Sequence, residues 1–371
     1  MLTASQVAAF RLSRNHFTDT RPVSPAAIAH DVCGVQAQVL SAAYLQLWAR
    51  NHSLTRADID SALWTSRSLV KSSAMRGTLH LLAADDLPMY FGALRSSRLR
   101  AIRRVSARYG GVTPEVSDAV MRAVSDALRS GPATRAELTE HILSLNFLTK
   151  RARKWFKLSW WGVVRQAIVE GLVCYGPDRG QQSTFIRLDQ WLPNYKALSE
   201  PLGKRRFLRR YLAAYGPAAP RDFARWAGMS VTEAKLIWDS LQRKLVELSI
   251  EGRKAWLLRE DLNHLSKSNL REPVLSLLPN FDPYLLAHAD KSHLVDRPFY
   301  SRVFRTASWI SCVVLLNGKA IGTWALSSRG KSSFLEVRLF SKPTKLIRAL
   351  IEAESSALSR YLDSSLRLSL R

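Results

Sequence analysis

Carboxylates are scarce in this chain: 30 Asp plus Glu stand against 55 Lys plus Arg in 371 residues, a formal net charge of +25. Asp31, Asp282 and Asp290 are the possible general bases, and Asp282, in Phe281-Asp282-Pro283, fits a turn residue better. Cysteine is scarcer. Cys33, Cys174 and Cys312 lie far apart, with no Cys-x-x-Cys pair and no histidine spaced to join one. That argues against structural zinc or an iron–sulfur cluster and for a reducing compartment. No run nears the ~18 apolar residues of a spanning helix. Met1 to His16 is amphipathic, without the apolar core of a signal peptide. Nucleophilic serine elbow, phosphate-binding loop and His-Glu-x-x-His metal pattern are absent. The expectation is a cytoplasmic protein with no metal, no cofactor and no membrane partner.

What is abundant is basic charge inside apolar-periodic segments rather than in a polar tail. At 47% hydrophobic residues the chain has ample core for two to four units of roughly 150 residues. A folded protein of this charge points to a polyanionic partner, nucleic acid before membrane.

Three segments share one plan, short helices followed by a β-hairpin. Between Leu202 and Glu260, Lys204 to Ala214 reads as a helix broken by Gly216-Pro217. Arg221 to Ala227 is a second, ended by Gly228. Ser230 caps a third, Val231 to Leu241, with Glu233 as a capping-box partner. Leu245 to Ile250 and Lys254 to Leu258 alternate around Glu251-Gly252, a hairpin signal. Upstream, Val116 to Arg129, Arg135 to Leu143 and Trp160 to Glu170 read as helices. Leu172 to Tyr175 and Thr184 to Leu188 flank Gly176-Pro177-Asp178-Arg179-Gly180. In the first segment Ser24-Pro25 starts a helix, and Gln36 to Arg50 reads as the next. Leu69 to Ser73 and Thr78 to Leu82 form the hairpin, and Arg95 to Arg108 is a basic helix. From about Arg271 the pattern turns to strands, Ile310 to Leu316 and Ala320 to Leu326 around Asn317-Gly318, then Ser333 to Leu339. Thr344 to Asp363 is the closing helix. The expected fold is α+β: three tandem winged-helix units, 1–110, 111–198 and 199–265, and a β-rich C-terminal domain, 266–371.

Each helical unit carries one basic-aromatic cluster. They are Arg95 to Arg108 with Arg103 and Arg104, Lys150 to Lys157 with Arg151 and Lys154, and Lys204 to Arg210 with Arg205 and Arg206. Their aromatics, Trp155, Phe156 and Phe207, belong to the apolar stripe of an amphipathic helix. The basic positions are candidate phosphate contacts, and neutralising ~6–10 phosphates makes affinity steeply salt-dependent. Lys71, Arg76 and His80 are hairpin candidates. His80 has two readings, a backbone-satisfied imidazole or a phosphate or lesion contact. Lys291, Arg329 and Lys331 are candidates in the C-terminal domain, the last two on a hairpin that can probe a groove.

Gln36-Ala37-Gln38 is the candidate for the chemistry. An amide orients water beside a polyanion without titrating. On an ideal helix residues two apart point ~200° apart, so a shared site requires Gly34 to place both amides in a turn or a distorted first turn. Val35 to Ala43, Met75 to Leu81, Leu277 to Leu286 and Val313 to Trp324 together resemble the AlkZ/YcaQ family of winged-helix DNA glycosylases, over nearly the whole chain. The Gln-x-Gln form is similar to its AlkZ-like branch. The resemblance implies hydrolysis of the N-glycosidic bond of N7-alkylated purines, including bulky adducts and interstrand crosslinks. It places the catalytic pair on Gln36 and Gln38. One departure is His288-Ala289-Asp290-Lys291, where relatives often have His-x-Asp-Arg. Lys keeps the charge and loses the bidentate fork. The expected partner is duplex DNA, bound by a monomer with no protein partner. The other reading is a winged-helix transcriptional regulator without chemistry, which normally dimerises to match paired half-sites.

Overall fold

The structure, a computed structural model, describes residues 2–18, 21–159, 164–329 and 332–371. Helix and sheet are mixed along the chain. The residues cluster into two compact units, Met1–Asp60 with Leu208–Arg371, and Ser61–Phe207.

In the first unit, Ala4–Arg14 is a helix started by a reciprocal capping box between Thr3 and Gln6. Phe10 and Leu12 on it are fully buried. Pro25–Asp31 begins at Ser24, whose hydroxyl accepts the Ala27 N–H at 3.2 Å. The following helix is Leu40–Trp48 and not the expected Gln36 start. Val35–Gln36 is extended instead. An apolar run this short has no period that separates strand from helix.

The stretch from Pro220 to Leu258 follows the sequence closely. Helix Pro220–Ala227 ends at Gly228 (φ 76°), and Ser230 caps Val231–Asp239 by accepting the Glu233 N–H at 3.1 Å. Leu245–Ile250 pairs with Arg253–Leu258, and Glu251 and Gly252 supply the two left-handed residues of the turn. Tyr211, Tyr215, Phe223 and Trp226 pack beneath as a fully buried aromatic cluster.

A five-stranded sheet closes this unit, in the order Leu366–Leu370, Ser332–Leu339, Lys319–Arg329, Val313–Leu316, Leu275–Leu278. Asn317-Gly318 makes the tight hairpin turn, with Leu316 facing Lys319. The two outer strands, Leu366–Leu370 and Leu275–Leu278, are additions to the expected strands. Leu366–Leu370 joins its neighbour in parallel, after the helix Lys345–Leu362 has crossed over. That helix buries Ile351 and Leu358 against Leu277, Val314, Leu335 and Trp48.

The second unit opens with the hairpin Leu69–Ser73 and Leu79–Ala83. The 24-residue helix Leu87–Gly110 follows and holds the expected basic stretch. Helices Pro114–Ala127, Arg135–Leu143, Lys150–Leu158 and Val164–Glu170 then lead to strands Val173–Arg179 and Gln182–Arg187. The expected helix start at 160–163 lies outside the described residues. Val120, Val124, Ile142, Phe156, Ile168 and Phe185 share this unit's core, so Phe156 is a core aromatic as its stripe implied. At Gly110 a Cβ would stand 2.6 Å from Trp155 Cγ, so the long helix ends where only glycine fits against the indole.

Candidate active site

The Gln-x-Gln segment is placed by the end of the helix before it. After Val32 the backbone turns left-handed at Cys33 (φ 56°) and Gly34 (φ 85°). The Gly34 N–H reaches back to the Ala29 carbonyl at 2.7 Å, closing the helix end. For cysteine this conformation costs roughly 1–2 kcal/mol. It delivers Val35 and Gln36 extended, and the next helix waits until Leu40. In extended backbone, residues two apart share a side, which a helix forbids. The strand covers Val35 and Gln36 alone, and Gln38 follows in the bend before Leu40, so both amides lie outside any helix. Gln36 is buried at 6% exposure, while Gln38 is exposed.

The segment is held from two directions. Gln46, fully buried on Leu40–Trp48, donates from Nε2 to the Gln36 carbonyl at 3.2 Å and to the Asn280 carbonyl at 3.0 Å. Asn280 in turn donates to the Ile310 carbonyl at 2.7 Å. One turn beyond Gln46, Arg50 donates to the Gln46 carbonyl and forms a two-pronged pair with Asp282 at 2.7 and 2.8 Å, with both side chains wholly buried. Its guanidinium lies 4.6 Å over the Phe17 ring. From the other side, Arg210 donates to the His30 carbonyl at 3.0 Å and the Tyr215 hydroxyl to that of Val32 at 2.5 Å. Both donate to backbone carbonyls at the end of helix Pro25–Asp31.

The possible general bases have other work. Asp282 caps Pro283–Leu286 by accepting the Tyr284 N–H at 2.9 Å, besides holding Arg50. Asp31 contacts His16 Nε2 at 2.9 Å. Asp290 pairs with Arg253 and accepts the Ser292 N–H at 2.8 Å; these bonds hold its carboxyl below the usual range.

The basic candidates divide sharply. Arg104, Lys154, Arg205 and Arg206 are exposed and form no ion pair among the described residues. Arg103 is tied to Asp118 at 3.0 Å, and Arg151 donates to the carbonyls of Arg108 and Tyr109 at the end of the long helix. Lys71 is buried in its strand, with Nζ 4.8 Å from the Tyr175 ring centre; burial lowers its pKa. His80 is buried and sits 3.0 Å from the Thr78 carbonyl through Nδ1. Burial first, then Arg76, pushes its pKa down to about 3, so the ring is neutral. The carbonyl only accepts, so Nδ1 carries the proton. The backbone-satisfied reading of His80 thus describes its geometry. Arg76 sits at the hairpin turn with φ 56°. Lys291 is half-buried and donates to the Leu285 carbonyl at 2.6 Å. Lys331 and the side chain of Arg329 lie outside the described residues.

A model of the AlkZ-like DNA glycosylase family matches residues 29–361. The chain belongs to the AlkZ-like DNA glycosylase family. The interstrand DNA cross-link repair glycosylase of Streptomyces sahachiroi is 30% identical over 362 residues, covering 96% of this chain and 95% of that protein. The solved structure of Streptomyces sahachiroi DNA glycosylase AlkZ superposes with a TM-score of 0.87 at 28% identity, covering 100% of this chain and 99% of that one.

As an AlkZ-like DNA glycosylase, the chain is an enzyme on DNA. Its scaffold residues Gln46, Arg50 and Asn280 escaped sequence reasoning. Gln46 was the one visible signal, a lone amide on the apolar face of its helix. Among the described residues no group of three or more His, Cys, Asp or Glu is placed to hold a metal ion, and no helix is long and apolar enough to cross a membrane.

Proposed function

We propose that this enzyme hydrolyses the N-glycosidic bond of N7-alkylated guanine in duplex DNA, including bulky adducts and interstrand crosslinks. The observation that carries the proposal is the pair Gln36 and Gln38 in the non-helical segment between Gly34 and Leu40, where buried Gln46 holds the Gln36 carbonyl. N7-alkylation makes the purine cationic, so it departs as a neutral base without a general acid. The protein has only to place water at C1′ and to face an oxocarbenium-like sugar with dipoles. Exposed Gln38 orients the water through its amide carbonyl, and buried Gln36 contacts the water or the developing sugar cation. A crosslinked base cannot swing out of the duplex, so an open basic surface suits it better than a closed pocket. The name of the Streptomyces relative supports the crosslink as a substrate.

The recurring helices and hairpins are three winged helices within 1–110, 111–198 and 199–265, with 266–371 as the fourth part. Arg104, Lys154, Arg205 and Arg206 contact phosphates, joined by Arg103 and Arg151 beside their structural bonds. Arg76, Lys291, Arg329 and Lys331 are the remaining proposed DNA contacts; Lys71 and His80, buried in the hairpin, are not among them. The enzyme works as a cytoplasmic, nucleoid-associated monomer without cofactor. Incubation with duplexes holding 7-methylguanine or a nitrogen-mustard crosslink tests this. Base release is expected, reduced roughly 10²-fold by Gln38→Ala or Gln36→Ala with DNA affinity retained. No release from either duplex, with tight binding to one sequence, would instead establish a regulator.

A further inference from the structure

Trp309 is the only exposed tryptophan among the described residues, with 44% of its surface open. A lone apolar side chain at a surface is ordinary. The backbone that presents this one is not. Ala307 (φ 53°) and Ser308 (φ 59°) are consecutive left-handed residues, and neither is glycine. That conformation disfavours any L side chain and persists only where its surroundings enforce it. Here the loop closes on itself. The Trp309 N–H donates to the Thr306 carbonyl at 3.2 Å, and the Arg305 N–H donates to the Trp309 carbonyl at 2.8 Å. Phe304 and Ile310 pair as an antiparallel bridge at its base. Phe281 supports the indole from one side, the two rings nearly perpendicular with centroids 5.0 Å apart.

The same loop adjoins the scaffold of the glutamine pair. Asn280, immediately before Phe281, shares the Gln46 amide with the Gln36 carbonyl. Its own side chain donates to the carbonyl of Ile310, immediately after Trp309. Val39, immediately after Gln38, packs against the apolar cluster that contains both Phe281 and Ile310. The glutamine segment and the tryptophan loop thus rest on one anchor, and each offers one exposed side chain, Gln38 and Trp309.

The face of an indole carries partial negative charge and attracts cations more strongly than the other aromatic side chains do. An N7-alkylated purine is a flat cation. We propose that Trp309 binds the alkylated nucleotide by laying its indole face against the positive charge of the lesion. This rests on the reading that N7-alkylated guanine is the substrate. It supplies what two amides lack, a means of telling the charged base from ordinary guanine. A side chain inserted at one base step unstacks that step alone, so the contact stays available to a crosslinked base.

The test compares the full chain with Trp309→Leu and Trp309→Phe on three otherwise identical duplexes. One holds 7-methylguanine on a 2′-fluoro sugar, whose fluorine slows departure so that binding can be read. One holds the neutral isostere 7-methyl-7-deazaguanine, and one is unmodified. Trp309→Leu is expected to weaken binding to the cationic duplex about fivefold to thirtyfold, and to change the other two by less than about twofold. Trp309→Phe, with a smaller aromatic face, should fall between wild type and Trp309→Leu on the cationic duplex alone. Leucine keeps an apolar contact with Phe281, so the melting temperature of the unbound protein should hold. Equal weakening on all three duplexes would overturn recognition of the charge in favour of a general wedge or lost structure. Unchanged binding to all three would remove Trp309 from the DNA. Release from an ordinary 7-methylguanine duplex is scored separately. Release with a Trp309-insensitive preference sinks this contact alone; a Trp309-dependent preference for the cationic duplex without release sinks the proposed reaction alone.

Discussion

Replacing Gln46 with leucine tests whether the glutamine pair depends on its scaffold. The substitution keeps the volume and removes one NH2 that serves two carbonyls, Gln36 at 3.2 Å and Asn280 at 3.0 Å. Two lost bonds at about 1 kcal/mol each suggest a cost near 2 kcal/mol. Two buried acceptors left without donors raise it. Against this, the Gln46 Oε1 is itself buried without a partner, and its removal returns part of the loss. A net destabilisation of about 1–3 kcal/mol is expected in urea unfolding. The kinetic effect should be larger in proportion. A reacting group displaced by ~1 Å can cost about 10²-fold, so single-turnover release of 7-methylguanine should fall by that order while duplex affinity holds. Gln46→Glu should be worse than Gln46→Leu, because a carboxylate would face two carbonyls. Release at the wild-type rate from a measurably less stable Gln46→Leu protein would refute the link between this scaffold and catalysis.

Removing one member of the buried Arg50–Asp282 pair, by Arg50→Ala or Asp282→Ala, should cost about 3–5 kcal/mol by chemical denaturation, because it strands the other charge. The double variant should be far less destabilised than the sum. Stability should also depend on pH through Glu354, which burial raises to about 7 although it accepts the Leu277 N–H. The folded state therefore holds a proton that the unfolded chain releases near its ordinary value of 4.5. The contribution is fully present below that value and is lost as pH rises to about 7, by roughly 3 kcal/mol in all. Glu354→Gln should flatten the unfolding free energy across this window, and an unchanged slope would discard the assignment. His52 Nε2 lies 3.4 Å from the Glu354 carboxyl, and burial first lowers its own pKa.

Legibility in the sequence followed range. Ser24-Pro25, Ser230, Gly228, Glu251-Gly252 and Asn317-Gly318 act on residues next to them, and each element they announced is present. Leu275–Leu278 is too short an apolar run to be told from a helix, while Leu366–Leu370 carries an apolar–polar alternation that the reading of the closing helix passed over. The start of helix Leu40–Trp48 was misread because the apolar stretch around Gln36 carries no period, while the deciding information sits in left-handed Cys33 and Gly34. The glutamine pair was visible as a motif. Its supports were not, since Gln46 meets Asn280 across 234 residues and Arg50 meets Asp282 across 232. Asp282, read as a turn residue, is the N-cap of Pro283–Leu286, and its buried partner lay beyond any spacing rule.

The division of the chain has a consequence for its synthesis. Ser61–Phe207 is one uninterrupted stretch, whereas the other unit is split around it. The ribosome therefore completes the interior unit before the outer one has its second half. Gln36 and Gln46 are 10 residues apart, yet the Asn280 carbonyl that shares the Gln46 amide emerges 234 residues after Gln46. At about 5–20 residues per second that interval is roughly 12–47 s, during which Gln46 can hold Gln36 but not Asn280. Through that interval the segment around Gln36 lacks its tie to the second half of the outer unit.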